Sequence, residues 1–211
     1  MKKPTISKVI ESVPQTILTV VSLLFLLFCL LVPRPSRAGG PTEQVRGTVD
    51  KVMTLVRSSH PTSKAQMEAQ RAQLIEVIYP RFDFTEMAKR SLGRHWAGRT
   101  PTEQREFVVI FAAMLGRSYA DNIESYTSQK VLYTRESENQ SYAEVDTTIV
   151  TENRPPLSIN YKLQSVNKEW KVYDLVIEDI SVVNNYRSQF DRVIVGSSFK
   201  DLVRVMKEKQ L

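Results

Sequence analysis

The sequence predicts an α+β domain, in which a curved antiparallel sheet of about four strands packs against several helices. Three observations predict this class. Amphipathic helical patterns fill residues 42–126, four segments rich in β-branched and aromatic residues follow between 131 and 178, and two helical patterns close the chain. Helices followed by consecutive strands are typical of α+β domains. Without a repeat or a linker in the sequence, residues 39–211 are expected to form one domain.

The first 38 residues resemble a secretory signal peptide. Lysines stand near the start, residues 17–32 are almost wholly apolar, and Ser36-Arg37-Ala38 gives small residues at the −3 and −1 positions of a cleavage site before Gly39. An apolar run of this length is shorter than the roughly 20 residues that span a bilayer. We expect residues 1–38 to be removed on export. An uncleaved membrane anchor is the alternative.

Removal of this segment changes the electrostatic picture. It carries five of the 29 basic and one of the 23 acidic residues, so the net charge falls from +6 to +2. A nucleic-acid-binding domain usually carries a strong basic cluster, and none is expected here. The chain's one cysteine, Cys29, lies in the same segment, so the domain is expected to be stabilised by its core and not by disulfides.

The helices are predicted in order from their apolar spacing and caps. Residues 42–57 form the first amphipathic pattern. Ser63, with Gln66 in the reciprocal position of a capping box, begins a second helix, which Pro80 ends. Its apolar stripe comprises Met67, Leu74, Ile75 and Ile78. A short helix is expected over Phe84–Leu92, before Gly93.

The fourth helix has the clearest start in the chain, Thr100-Pro101-Thr102-Glu103, which combines a capping threonine, proline at the first helical position and glutamate at the third. It is expected to reach about Tyr126. One broad, aromatic-rich face runs along it, which a large partner surface must cover. That face comprises Phe107, Phe111, Met114, Leu115, Tyr119 and Ile123.

Four strands are predicted next, at 131–135, 142–151, 157–166 and 169–178, and the last two are joined by a short hairpin turn at Asn167-Lys168. In the second strand, Ala143, Val145, Thr147 and Ile149 share one face. Such alternation is typical of an antiparallel sheet with one covered face and one wet face. Helices over residues 181–195 and 198–209 are expected to close the domain.

Few residues indicate catalytic or metal chemistry. The two histidines, His60 and His95, are isolated, and no cysteine or histidine spacing supplies a metal site. A serine–histidine pair around His95 lacks the strand–turn–helix context of a nucleophile. We therefore predict no catalytic residue, no metal and no cofactor.

Basic residues cluster on and after the short third helix. Lys89, Arg90 and Arg94 are candidates for contact with a lipid head group or an acidic partner, because guanidinium matches phosphate geometry. The alternative is a solvated face with local ion pairs, for example to Glu86 or Glu103.

Two segments carry a family resemblance: Phe82–Trp96, FDFTEMAKRSLGRHW, and Trp170–Phe190, WKVYDLVIEDISVVNNYRSQF. Together with the helix from Thr100 they resemble the MlaC family, periplasmic phospholipid-binding proteins also known as toluene-tolerance auxiliary proteins of an ABC transporter. The resemblance extends from about Val45 to Leu202. The motifs are less specific than a catalytic motif, but their order and spacing agree.

The resemblance implies a monomeric periplasmic lipid carrier with an NTF2-like fold and a deep apolar pocket that holds the acyl tails. Its implied partners are a phospholipid, an inner-membrane complex of MCE-domain protein, permease and ATPase, and an outer-membrane lipoprotein complex. The implied role concerns outer-membrane lipid asymmetry. Related members are connected with hopanoid transport, so the ligand class stays open.

We expect nine residues of the fourth helix and the sheet to help line such a pocket: Phe107, Phe111, Leu115, Tyr119, Val145, Ile149, Tyr161, Val172 and Val176. Periodicity alone does not separate a lined pocket from a filled core.

One residue supports a different class of function. Asp174 stands in a strand between Val172 and Val176, which are expected on its face. A carboxylate in an apolar cavity can have a raised pKa and act as a general base, as in NTF2-like enzymes. The competing interpretation is an Asp174 that pairs with arginine or accepts backbone hydrogen bonds.

Overall fold

The computed structural model describes residues 39–124, 129–152 and 154–208, with the backbone alone over 119–124. The predicted signal segment lies outside these residues. No helix among the described residues is long and apolar enough to cross a membrane. Six α-helices are described, α1 Pro41–Ser58, α2 Lys64–Ile78, α3 Phe84–Leu92, α4 Pro101–Glu124, α5 Val182–Gly196 and α6 Phe199–Glu208. Short 3-10 turns follow α2 at Tyr79–Arg81 and α3 at Gly93–His95.

Five strands form one antiparallel sheet in sequence order: β1 Lys130–Asn139, β2 Tyr142–Val150, β3 Leu157–Val166, β4 Glu169–Ile177 and β5 Ile180–Ser181. The predicted α+β class is confirmed. β1 ends four residues later than predicted. Residues 136–139 are exposed and carry no apolar alternation, so no strand pattern marked them in the sequence. β5 was not predicted. It folds back on β4 through Glu178-Asp179, which both have positive φ. Aspartate is common in such turns, but glutamate is not.

The capping residues form as predicted. Ser63 and Gln66 make a capping box at α2. At α4, the Thr100 hydroxyl accepts from the Glu103 amide at 3.2 Å, and the Glu103 carboxylate accepts from the Thr100 amide at 2.7 Å. The hairpin at Asn167-Lys168 has positive φ at both residues. These signals are local, so neighbouring residues alone determine them.

The apolar core has two parts. The larger lies among α3, α4, α5 and α6 and includes Phe107, Phe111 and Phe190. The smaller lies where α1 covers the sheet, with Val45 packed against residues of β2, β3 and β4. Phe82 and Leu175 touch both.

A register shift in β4 redirects its last residues. Val172 pairs with Leu163 but Asp174 pairs with Lys162, so Tyr173 is an extra residue in the ladder. Beyond it, Leu175 packs against both core clusters, whereas Val176 lies in a polar groove. The expectation that Val172 and Val176 share one face was wrong, because the extra residue lies between them and reverses the alternation.

Candidate functional site

An apolar cavity of about 270 Å³ opens between α2 and α4. We call it the α2–α4 cleft. Its α2 wall is formed by Arg71, Leu74, Ile75, Ile78 and Tyr79. Its α4 wall is formed by Ala113, Leu115, Gly116 and Arg117. Its floor is formed by Phe82, Phe84, Met87, Leu175 and Val182.

The α2 wall follows directly from helical periodicity. Arg71, Leu74, Ile75 and Ile78 are spaced i, i+3, i+4 and i+7, so they share one face of the helix. Among the described residues, this stripe is covered only in part. Leu74 is buried, but Ile75, one residue along the same stripe, is 42% exposed.

Burial gives the cleft a closed end and an open end. Met87 and Val182 on the floor are buried, at 1% and 4% exposed. Ile75 and Arg117 are exposed. The cleft therefore opens to solvent along the outer sides of α2 and α4, and its deepest point lies over α3 and the start of α5.

Tyr79 pins the end of α2 against α4. Its hydroxyl donates to the Ala112 carbonyl at 3.1 Å, and its ring lies 4.6 Å from that of Phe84. Gly116 makes this approach feasible, since a Cβ there would lie 3.0 Å from the Tyr79 hydroxyl. Burial raises the pKa of Tyr79, while the nearby positive charge of Arg117 opposes that rise.

The adjoining 3-10 turn is tied to the sheet. Arg81 donates from Nη1 to the Trp170 carbonyl at 2.6 Å and to Gln44 Oε1 at 2.7 Å, and the Asp83 amide donates to the Val172 carbonyl at 2.8 Å. The body of α2 packs chiefly on α1. One end of the α2 wall is thus fixed to β4, while its outer part depends on α1.

Two of the predicted lining residues on α4 lie in filled core. Phe107 and Phe111 are completely buried. Phe107 contacts the rings of Phe190 and Phe199 at 5.6 and 5.9 Å, and Phe111 contacts that of Tyr186 at 5.5 Å. Among the nine predicted residues, only Leu115 borders the cleft in the described structure.

The other predicted lining residues lie in the sheet or outside the description. Val145, Val172 and Tyr161 belong to the smaller core under α1. Ile149 is buried on β2. The side chain of Tyr119 lies outside the described residues.

The predicted cations are engaged away from the cleft. Arg90 Nε lies 2.8 Å from Glu86 Oε1, and Lys89 Nζ lies 3.5 Å from Glu86 Oε2. Arg94 pairs with Asp191 at 2.8 Å. Local ion pairs of the kind considered for this segment are present, and the three side chains are not among the described cleft residues.

Asp174 serves a structural purpose. Its carboxylate accepts from the Ser181 hydroxyl at 2.6 Å and from the Val183 amide at 3.0 Å, so it holds the first turn of α5. It is buried, and it is not among the described residues that line the cleft. This is the hydrogen-bonded arrangement considered as the alternative to a general base.

His95 also has a structural partner, since its Nε2 lies 2.8 Å from Asp191 Oδ1. Hydrogen bonding to His95 and the charge of Arg94 lower the pKa of Asp191. Within the described residues, no group of three or more potential ligands could hold a metal ion.

A second groove, of about 440 Å³, lies on the polar side of the sheet. Five charged residues are among its described lining, and four of them form ion pairs with one another, Asp179 being the fifth. Arg135 Nε lies 2.6 Å from Asp146 Oδ2, and Lys162 Nζ lies 3.8 Å from Glu144 Oε1. Its described lining is polar and carries charges of both signs, unlike that of the α2–α4 cleft.

The sequence reasoning missed the α2 wall. The stripe of α2 was predicted, but no binding role was assigned to it. The signal that could have indicated this wall is an apolar stripe on a helix that lacks the aromatic residues of α4.

Comparison with known proteins identifies a matching family and relatives of this chain. The family model for MlaC protein matches residues 46–208. The chain is 21% identical over 192 residues to the intermembrane phospholipid transport system binding protein MlaC of Haemophilus influenzae, covering 88% of this chain and 90% of that protein. It is 20% identical over 152 residues to the toluene tolerance protein ttg2D of Pseudomonas putida, covering 71% of each.

The fold has a solved counterpart. The phospholipid-binding protein from Ralstonia solanacearum, determined in complex with a phospholipid, superposes with a TM-score of 0.73 at 24% identity, covering 82% of this chain and 97% of that one. That likeness shows the shared fold, and the match to the family model covers well over half of the sequence. This chain belongs to the MlaC protein family.

Proposed function

We propose that this protein is a phospholipid carrier that holds acyl chains in the α2–α4 cleft and moves lipid between membranes through the periplasm. The observation that carries the proposal is an apolar cleft, open at one side, in a chain of the MlaC family. The names of the Haemophilus and Ralstonia proteins, which describe phospholipid transport and binding, support it.

The energetics explain why a carrier is required. Each methylene withdrawn from water contributes roughly 0.8 kcal/mol. Two tails with about thirty methylenes would therefore cost on the order of 24 kcal/mol to expose. A membrane offers the same apolar surroundings, so the cleft needs only to match it. Transfer between protein and membrane can then be nearly balanced, and partner complexes can set its direction.

The size of the cleft implies that it widens when occupied. Its volume of about 270 Å³ lies just below the range of ordinary ligand pockets, about 300–1,000 Å³. Two acyl chains need the upper end of that range. We expect the outer part of α2 to move away from α4 when lipid binds. Its main packing partner is α1, and its fixed end is at Tyr79–Arg81.

We further propose that residues 1–38 act as an export signal that is removed, and that the carrier exchanges lipid with an inner-membrane MCE-domain complex and an outer-membrane lipoprotein complex. Lys89, Arg90 and Arg94 lie on an outer surface and are proposed as partner contacts. N-terminal sequencing of the exported protein tests the first point, since a retained segment would indicate an anchored interaction module instead.

A native mass spectrum tests the carrier role. The protein would be purified from periplasm without detergent and sprayed under non-denaturing conditions. We expect adducts of phospholipid mass that are released on denaturation. A folded protein that shows only its bare mass, even after incubation with phospholipid vesicles, would rule the proposal out.

A further inference from the structure

The charged side chains among the described lining residues of the α2–α4 cleft are all of one sign. Among its described lining residues, Arg71 on the α2 wall and Arg117 on the α4 wall are charged, and no acidic residue occurs. The rest of the described lining is overwhelmingly apolar. The position of these two arginines relative to the opening bears on what the cleft can bind.

Neither arginine lies on the buried floor of the cleft. Arg117 is exposed and Arg71 is half-buried, whereas Met87 and Val182 form the buried floor. Arg71 precedes Ile78 by about two turns, or roughly 10 Å of helix axis, so it lies far from the fixed end of α2. Arg117 lies close enough to Tyr79 to affect its ionisation. We call these two residues the cationic rim.

Guanidinium groups at the rim suit a phosphate ester. Each carries five N–H donors in a planar fork, so it can engage phosphate oxygens in addition to other partners. A lipid whose tails occupy the apolar floor must leave its head group near the opening. The head-group phosphate would then come within reach of the rim.

We propose that the cationic rim makes this protein prefer phospholipids with a net negative head group over zwitterionic ones. This inference rests on the proposed lipid-carrying function. A zwitterionic head group adds an ammonium, which the arginines repel and which finds no carboxylate among the described lining residues. An anionic head group such as phosphatidylglycerol gains the attraction without that penalty.

Two exposed cations of the same two helices provide a contrast. The side chain of Lys64 on α2 is 90% exposed, and Arg105 on α4 is exposed as well. Neither is among the described lining residues of the cleft. They therefore supply a matched control with the same change in net charge.

The test is competitive loading. Protein is incubated with vesicles of equimolar phosphatidylglycerol and phosphatidylethanolamine and re-isolated, and its bound lipids are quantified by mass spectrometry. We compare the unaltered protein, the rim variant Arg71→Gln/Arg117→Gln and the control Lys64→Gln/Arg105→Gln. Circular dichroism and thermal unfolding verify that each is folded. The single variant Arg117→Gln replaces the rim variant if the latter does not fold.

We expect roughly three- to fivefold enrichment of phosphatidylglycerol in the unaltered and control proteins. The rim variant should bind as much total lipid with little enrichment, and Arg71→Lys/Arg117→Lys should retain much of the preference. Equal loading of both lipids by the unaltered protein, or enrichment that survives in the rim variant, would overturn the inference and leave the carrier role intact. Absence of any bound lipid in the unaltered protein would instead remove both.

Discussion

The two halves of α4 present similar apolar faces and yet do different things. Around Phe107 and Phe111 the face is covered by α5 and α6, and aromatic rings fill the space completely. One turn further on, around Leu115 and Gly116, the covering element is α2, which leaves a cleft. The difference shows that the elements packed against a helix face decide whether a cleft forms there, and that the face itself does not.

Tyr79 marks the boundary between the two halves. Its hydroxyl donates to the Ala112 carbonyl, just beyond Phe111, and its ring packs at a tilt against that of Phe84 on the floor of the cleft. Before that point the partners of α4 come from the closing helices. Beyond it they come from the helix that is fixed at one end only. Substitutions in the filled half should therefore change the free energy of unfolding, and substitutions in the half beside the cleft should change ligand binding.

The largest expected effect comes from Phe111→Ala in the filled half. Removing this fully buried ring should lower the free energy of unfolding by about 3–5 kcal/mol, since transfer and cavity terms add. Urea unfolding measures it. Lipid bound per folded molecule should stay unchanged. Loss of lipid with normal stability would show that Phe111 contacts the ligand.

Ile75→Glu tests the open half. A carboxylate in the cleft is costly to bury beside acyl chains, so bound lipid should fall by about tenfold or more, while the cost in stability stays near or below 1 kcal/mol. Val109→Glu is the matched control, because Val109 is an exposed aliphatic residue of α4 outside the cleft lining. Native mass spectra of both variants decide it. An equal loss of lipid in both variants would contradict the assignment of the cleft as the lipid-binding site.

The boundary itself can be probed by a double-mutant cycle. Tyr79→Phe removes the hydrogen bond to Ala112 and should cost about 1 kcal/mol. Gly116→Ala brings a Cβ against the Tyr79 hydroxyl, so the gain of up to about 1 kcal/mol from helix propensity should emerge only in the Tyr79→Phe background. Strictly additive unfolding energies would mean that the two residues do not meet.

The smallest effect concerns α6, which covers the filled half. Hydrogen bonds from Ser197, Ser198 and Arg204 lower the pKa of Asp201. Because the folded-state pKa lies below the unfolded value of about 4, the stabilisation is present above that pH and is lost as the pH falls through the folded-state value.

Asp201→Asn should therefore destabilise the protein at neutral pH, and the difference from the unaltered protein should shrink in acid. Unfolding measured at about pH 7 and about pH 3 tests this. A difference that is constant with pH would exclude the carboxylate as its source.

Much of the fold could be predicted because its signals are local. The caps at Ser63 and Thr100 and the turn at Asn167-Lys168 fix element boundaries through neighbouring residues. The predicted site depended on long-range information that periodicity lacks. The extra residue at Tyr173 moved Leu175 to the core and Val176 away from it, and the cover of Phe107 and Phe111 by α5 and α6 filled the expected pocket.

The central claim is that acyl chains lie in the α2–α4 cleft. The most direct measurement loads the protein with a phospholipid that carries a photoactivatable diazirine in its tail and maps the crosslinked residues by peptide mass spectrometry. The account predicts crosslinks on α2 around Leu74–Ile78 and on α4 around Ala113–Gly116. Crosslinks concentrated in the polar groove of the sheet, or spread evenly over the surface, would contradict it.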